Sequence, residues 1–346
     1  MMGHKLASSN RDIFEFRRRL AKEGSEFIRM LQYGHRFKGT QKKIGAELEL
    51  NLVDRSTLRA VCISPEVIKK AAEADYKCIG PELSTFNIEL NAPPISIRDG
   101  KDKDPLSQLH SSLSTQVGLL RAIAGGNIIP VMHGIWPMIQ REDINIRNIY
   151  PNPRYRLLHD NCHRSRGGTH RLVINEGERV SIRRLTFMHE AMNTSFQLHL
   201  SDDLANIPDI FNMAMLAIPI VLSLSANSPL VFGRHVNDES RIIMLEKSVD
   251  FRTKAQVDLR LKRAMFPAAF LDRASEWFLS AMMEEPVLPV IEDTGSYIRP
   301  KDCELFNRLP DFRHFFLHLS TVWHWIRPKA VSYTHLRAHE TVLDLV

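Results

Sequence analysis

Cysteine is scarce in this chain: the 346 residues hold four, Cys62, Cys78, Cys162 and Cys303. They form no C-x-x-C pair and are widely spaced, which argues against a zinc site and a disulfide framework and leaves a buried structural thiol as the expectation for each. Long apolar runs are also lacking. No segment reaches the roughly 20 residues that span a bilayer, and the N-terminus has no short apolar core of a secretory signal. The most apolar stretch, 208–225, reads as a helix that is too short and too interrupted by Pro219 to cross one. A cytoplasmic chain without a membrane partner is expected. There is no internal repeat, no low-complexity linker and no complete phosphate loop: Arg164 to His170 is basic and glycine-bearing but lacks the G-x-x-x-x-G-K-[ST] order, so a solvated loop is expected there. Positive charge is thin over most of the chain. The net charge is +6, but residues 1–43 alone carry a surplus of +7, so the remainder is close to neutral at −1. No nucleic-acid partner is expected from such a core.

What is present starts with an amphipathic N-terminal segment. Ile13, Phe16, Leu20, Phe27 and Leu31 recur near helical spacing behind a cap at Ser9 or Asn10, with Arg17, Arg18 and Arg19 on the wet side. Further along, the spacing predicts helices over 65–74, 105–124, 153–164 and 208–225, and through much of 255–285. Asn127 to Met132 reads as a strand entering a sheet.

Three other stretches alternate with the period of two that a strand imposes. In Ile44 to Asn51 the set Ile44, Ala46, Leu48 and Leu50 lies opposite Gly45, Glu47, Glu49 and Asn51. In Thr85 to Asn91, Phe86, Ile88 and Leu90 lie opposite Thr85, Asn87, Glu89 and Asn91, and Pro93-Pro94 is expected to end the strand. In Asn193 to Leu200, Phe196, Leu198 and Leu200 lie opposite Asn193, Ser195, Gln197 and His199. The three polar faces offer carboxylate, amide and imidazole and no cation, whereas a solvated sheet face is ordinarily mixed in charge. Acids without compensation point to a cation from outside, and hard oxygen donors favour magnesium or manganese over zinc.

The order of these motifs resembles the glutamate-cysteine ligase family, in its carboxylate-amine ligase branch. The resemblance rests on Gly45-Ala46-Glu47-Leu48-Glu49, on Glu82 with Glu89 seven residues on, on Ser195 to His199 and on Leu224 to Leu230, with Arg241 to Arg252 and Thr321 to Pro328 as further segments. It implies an α+β, glutamine-synthetase-like fold, a mainly antiparallel sheet forming a funnel-shaped cavity with helices on its outer face. It implies an ATP-dependent ligase that activates a carboxylate as an acyl phosphate and passes it to an amine, with ATP as co-substrate and Mg2+ or Mn2+ as cofactor. By the same resemblance Glu47, Glu49, Glu82 and Glu89 correspond to metal-binding carboxylates, and Gln197 or His199 to the ligand on the third strand. The family often has histidine at both positions, so Gln197 departs from that pattern while keeping an oxygen donor. Arg234, Arg241 and Arg252 are expected to clamp substrate and phosphate, with Asn87, Gln197 and Asn227 at the nucleotide. The implied partners are an amino acid or other carboxylate, an amine and ATP, and a homo-oligomer fits the class.

The implied organisation is a basic helical segment over 1–40, a catalytic domain over 41–328 and a tail over 329–346. That tail resembles a translated sequencing-adapter peptide, so the catalytic domain is expected to be incomplete, with loss of turnover as one outcome to test. A noncatalytic ligand- or partner-binding protein on the same scaffold is the rival reading. A metal-dependent hydrolase would need a water-activating base that the sequence does not reveal.

Overall fold

A computed structural model describes residues 5–6, 10–33, 42–97, 104–168, 170–257, 262–266, 268–291, 312–331 and 340–345. In chain order the first elements are β1 (Lys5–Leu6), α1 (Asn10–Tyr33), β2 (Lys43–Asp54), α2 (Ser64–Glu73), β3 (Ile79–Pro81) and β4 (Asn87–Ser96). Next come α3 (Pro105–Ala124), β5 (Ile128–Val131), α4 (Pro153–Ser165), β6 (His170–Ile174), β7 (Val180–Leu185), β8 (Phe196–Asp202) and α5 (Ile207–Ser225). The rest are β9 (Leu230–Val231), β10 (Arg234–His235), α6 (Arg241–Ser248), α7 (Ala274–Met282), β11 (Val290–Ile291), α8 (Arg313–Leu319), β12 (Ile326–Val331) and β13 (Glu340–Leu345). The chain mixes helices with antiparallel sheet, and it divides into two compact units.

The unit made of residues 41–201, 216–264 and 344–346 carries the antiparallel sheet. Its long strand β2 pairs along one edge with β4, which pairs in turn with β3; the other edge is shared by β8 toward its start and β5 toward its end. One face is apolar by alternation. Leu48, Leu50, Ile88 and Leu90 are buried against Leu113 and Leu120 of α3, with Val67 and Ala71 of α2 completing the cluster. Each fully buried aliphatic side chain here is worth about 2 kcal/mol, so this face fixes the sheet's register and turns every second residue to the other side. Helix α3 matches the spacing closely: Asp104 caps it by accepting from the amides of Leu106 and Ser107.

Local expectations fail where tertiary context intervenes. Strand β4 does not end at Pro93-Pro94 but pairs on to Ser96, because a one-residue bulge opposite Ile44 and Ala46 takes up residues that lack an amide donor. Helix α2 starts at Ser64, which supplies no side-chain cap. Most of the described residues of 255–285 are not helical; only α7 and a short 3-10 turn at Lys254–Gln256 are. Arg166 is not in a solvated loop. It is buried, and its guanidinium donates to the carbonyls of Lys247 (2.6 Å) and Ser248 (2.7 Å), capping the C-terminal end of α6. Cys62 is exposed, Cys78 is partly so and Cys162 is buried; Cys303 and residues 332–339 of the tail lie outside the described residues. The expectation for 208–225 also needs correction. With the preceding turn, Leu204–Ser225 forms 22 helical residues, long and apolar enough to cross a membrane by length and composition: an 18-residue window within it has a mean hydropathy of 1.8, and 17 % of that window is buried. Pro219 sits inside the helix, which removes one amide donor without ending it.

The unit made of residues 1–40, 202–215 and 265–343 is helical at its centre. The predicted stripe of α1 is its core. Phe16, Leu20, Phe27 and Leu31 are buried, and the Phe27 ring meets those of Phe278, Phe312 and Phe315 at centroid separations of 5.1–5.4 Å. On the wet side Arg17 and Arg18 are exposed and pair with Glu285 and Glu15.

Candidate active site: an acidic cluster on the polar face of the sheet

The three alternating stretches become neighbours through register. Glu49 lies directly across from Glu89, Glu47 from Asn91 and Asn51 from Asn87 on β4, while Glu47 lies across from Gln197 and Gly45 from His199 on β8. The Glu49 amide donates to the Ser195 carbonyl at 2.9 Å, which carries the pairing one residue past the strand. Directly opposed residues point to the same side of a sheet. The polar faces read from the sequence are therefore one surface.

On that surface one carboxylate oxygen each from Glu49, Glu82 and Glu89 lie within 4.8 Å of one another. Glu82 reaches them from the turn between β3 and β4, next to Gly80, which stands opposite Glu89; a Cβ there would lie 3.6 Å from the Glu89 Oε1. Glu49 is oriented by two donors, the Ser195 amide on Oε2 (2.9 Å) and the Gln197 amide nitrogen on Oε1 (3.2 Å). Because a carboxylate only accepts, the Gln197 amide group must place its nitrogen toward Glu49. Its oxygen, Oε1, is then buried with no partner among the described residues. Asn91 donates to Glu89 at 2.6 Å.

Burial and like charge act together here. The Glu49 carboxyl is pushed up to about 8, first by burial and then by the charges of Glu190 and Glu89. Glu82 is raised well above the ordinary carboxylate range by burial and by Glu49, Glu89 and Glu190, and it shares a hydrogen bond with Glu89 that two carboxyls can form only around one proton. Glu190 is pushed up to about 7 by burial. The Tyr155 hydroxyl, which donates to the Pro81 carbonyl at 3.2 Å, is raised by burial and by the same acids.

Other residues expected at the site fall into separate groups. Glu47 is one rung from the trio and faces His199, with Oε2 and Nε2 3.5 Å apart. Asn87 is buried, donates from Nδ2 to the Asn51 Oδ1 at 3.0 Å and accepts from the Ser84 hydroxyl. Asn227 accepts from the Gly134 amide at 3.0 Å, and a Cβ on Gly134 would come within 2.5 Å of that same oxygen. Arg241 grips Glu239 with two parallel bonds (2.6 and 2.7 Å) and donates from Nη1 to the Thr194 carbonyl at 3.0 Å, one residue before Ser195. Arg252 is tied to Asp250 by two bonds of 2.8 Å and to the Val257 carbonyl. Arg234 is an exposed residue of β10 whose ion pair is with Glu178 at 3.7 Å, and none of these bonds reaches the acidic trio.

Glu190 escaped the sequence reading. It sits in a 3-10 turn, Phe187–Met192, just before β8, and a turn breaks the period-two parity that located the other acids. The nearby Asn193 would have been a cue, since it opens the polar face of that stretch.

A family model described as glutamate-cysteine ligase family 2 matches residues 43–314. No curated protein sequence matches the chain. Among solved structures it is similar to a glutamate-cysteine ligase from Francisella tularensis in complex with AMP, at 13 % identity and a TM-score of 0.45, covering 89 % of this chain and 61 % of that one. It is also similar to a bifunctional glutathione synthetase from Pasteurella multocida, at 11 % identity and a TM-score of 0.35, covering 70 % of this chain and 33 % of that one. The chain thus spans less than two thirds of the length of either protein.

Proposed function

The chain belongs to glutamate-cysteine ligase family 2, and on that premise we propose that it is built as an ATP-dependent carboxylate-amine ligase. In this reading a substrate carboxylate takes the γ-phosphoryl group of ATP, releasing ADP, and the amine then displaces phosphate from the acyl phosphate to leave an amide. Residues 41–328 make up the catalytic domain, the antiparallel strands are part of a glutamine-synthetase-like funnel, and a cytoplasmic setting supplies ATP and magnesium. Glutamate and cysteine are the substrates that the family name suggests.

The observation that carries the reading is the trio Glu49, Glu82 and Glu89 on facing strands, with oxygens within 4.8 Å. The donor set fits a hard divalent cation: three carboxylates and a buried, unpartnered amide oxygen of Gln197. Such a cation supplies charge neutralisation at the phosphates during phosphoryl transfer. The chain's own residues do the rest. Ser195 and Gln197 hold the Glu49 carboxylate in orientation, as outer partners of ligands do. Arg241, with Glu239 behind it, fixes the start of β8 through Thr194 and keeps further N–H donors for an anionic group. Arg252 is the second such candidate, and the exposed Arg234 the third.

The test is calorimetric titration of Mn2+ with ATP into wild type and a Glu49→Gln, Glu89→Gln double variant, alongside ADP release. Wild type should release ADP at a sustained rate only when both a carboxylate and an amine are supplied, a carboxylate alone giving no more than one equivalent as the acyl phosphate forms, and the double variant should lose about 100-fold in cation affinity. Equal affinity in the two proteins would remove the carboxylates from the nucleotide's metal. Binding of ATP without any ADP release would favour the noncatalytic reading.

A further inference from the structure

A single peptide group stands between Arg241 and the acidic trio. The Thr194 carbonyl accepts from Arg241 Nη1 at 3.0 Å, and the amide of the next residue, Ser195, donates to Glu49 Oε2 at 2.9 Å. Carbonyl and amide belong to one planar unit, so whatever fixes the first also fixes the second. A bond from a charged donor to the carbonyl further polarises the unit and strengthens its N–H as a donor.

Arg241 is itself aimed by Glu239. Its Nε and Nη2 form two parallel bonds to the carboxylate (2.6 and 2.7 Å), a fork that leaves Nη1 turned toward Thr194. The Glu239 side chain is 8 % exposed, and it is held from behind by the Ser228 hydroxyl and, at 3.4 Å, by the Asn227 amide. Although burial works against its charge, Arg241 and Ser228 keep its carboxyl below the ordinary range, so the pair is ionised at neutral pH. The arrangement closes on itself. Asn227 Oδ1 accepts from the Gly134 amide at 3.0 Å, and the Gly134 carbonyl accepts from the Thr194 amide at 2.9 Å. It is also tight, because a Cβ on Gly134 would lie 2.7 Å from Arg241 Nε. Anchoring the start of β8 does not require the ion pair. The Thr194 amide, its hydroxyl on the His133 carbonyl and the Glu49 amide on the Ser195 carbonyl already hold the backbone there.

We propose that Glu239 is a positioning residue for the candidate metal site: through Arg241 and the Thr194–Ser195 peptide it sets the direction in which the Glu49 carboxylate meets a divalent cation. This rests on the metal-binding role given to Glu49 above. It extends the site to an acid that touches neither cation nor trio.

The experiment makes two measurements on the full chain. The Ser195 amide resonance, in protein labelled with 15N-serine and assigned by its absence from Ser195→Ala, reads the bond to Glu49 without any metal. Mn2+ affinity, followed by EPR, reads the placement of the carboxylate. Glu239→Gln keeps the side chain's shape and removes the charge that grips Arg241. Its Ser195 amide proton should move upfield, in the same direction as in Glu49→Gln, and its Mn2+ affinity should fall about tenfold. In a Glu49→Gln background the same change should alter Mn2+ affinity by less than about twofold, because its route to the cation is already broken. Gly134→Ala, which displaces Arg241 with every charged group in place, should repeat both effects and carries the test if Glu239→Gln does not fold. A Ser195 resonance that does not move in these variants overturns the proposal. So does a loss of Mn2+ affinity of equal size with and without Glu49, the result of a merely structural role. If wild type binds no Mn2+, the metal-site reading of the trio fails, and the Ser195 resonance still decides whether Glu239 acts on Glu49.

Discussion

Two glutamates, one in each unit, the first fully and the second partly buried, have opposite surroundings. Glu23 of α1 is completely buried and meets three nitrogen groups: Oε2 accepts from the amides of His314 (2.9 Å) and Phe315 (3.0 Å) at the start of α8, and Oε1 meets His314 Nδ1 at 2.6 Å. A carboxylate at a helix N-terminus is stabilised by the exposed amides and the helix dipole. Glu49 keeps some contact with solvent and also has two donors, but it faces Glu89 across the ladder and feels Glu190. The first acid is satisfied by the chain itself and ties α1 to α8. The second is left facing like charge, and that difference is what the proposed metal-binding role of Glu49 rests on.

The contrast is sharpest in stability. Glu23→Ala should cost about 3 kcal/mol, because it strands two buried helix-start amides and one imidazole nitrogen at once. Above about pH 8, where the Glu49 carboxyl ionises, Glu49→Gln should leave the metal-free protein as stable as wild type or more so, because it removes a repelling charge. Denaturant unfolding of the two variants measures both, and a Glu49→Gln loss as large as that of Glu23→Ala would erase the distinction.

A smaller effect concerns pH. The carboxyls of Glu49 and Glu190 sit at about 8 and about 7 in the folded protein against an ordinary value of 4.5. Between those values the folded state holds protons that the unfolded state has released, so the contribution of these two groups to metal-free stability is full below about pH 4.5 and is lost as pH rises through about 7 and about 8. Added Mg2+ binds the ionised form, so it should raise the melting midpoint by about 5 °C at pH 8 and by little at pH 5.5. A midpoint shift that does not depend on pH would mean that the cation does not replace protons on these acids.

The smallest change is expected at the surface. Arg234→Ala removes an exposed ion pair with Glu178 and should alter stability by less than about 0.5 kcal/mol. A loss of substrate affinity in this variant would restore Arg234 to the clamp that its position in the sequence suggested.

Much of this site was legible before any coordinates, and for a definite reason. Alternation with period two sorts residues onto faces without knowledge of their neighbours, so Glu49, Glu89 and Gln197 could be assigned to polar faces from their own strands. Helix α3 was legible too, since its stripe and its closing glycines are local. What the period could not find was Glu190, whose turn obeys another geometry, or Arg166, whose partners are carbonyls more than 80 residues away. It also misjudged Pro93-Pro94, because only the partner strand shows that a bulge is there to receive them.

By itself, then, the sequence determined the chemistry: acids and amides on one side of each strand, aliphatics on the other, and no cation among them. Tertiary structure decided which acids meet. The pairing of β2 with β4 sets Glu49 opposite Glu89 and leaves Glu47 to His199, and the turn before β8 adds Glu190. These outcomes depend on register and loop path, which the packing of the opposite apolar face fixes and which no single strand encodes.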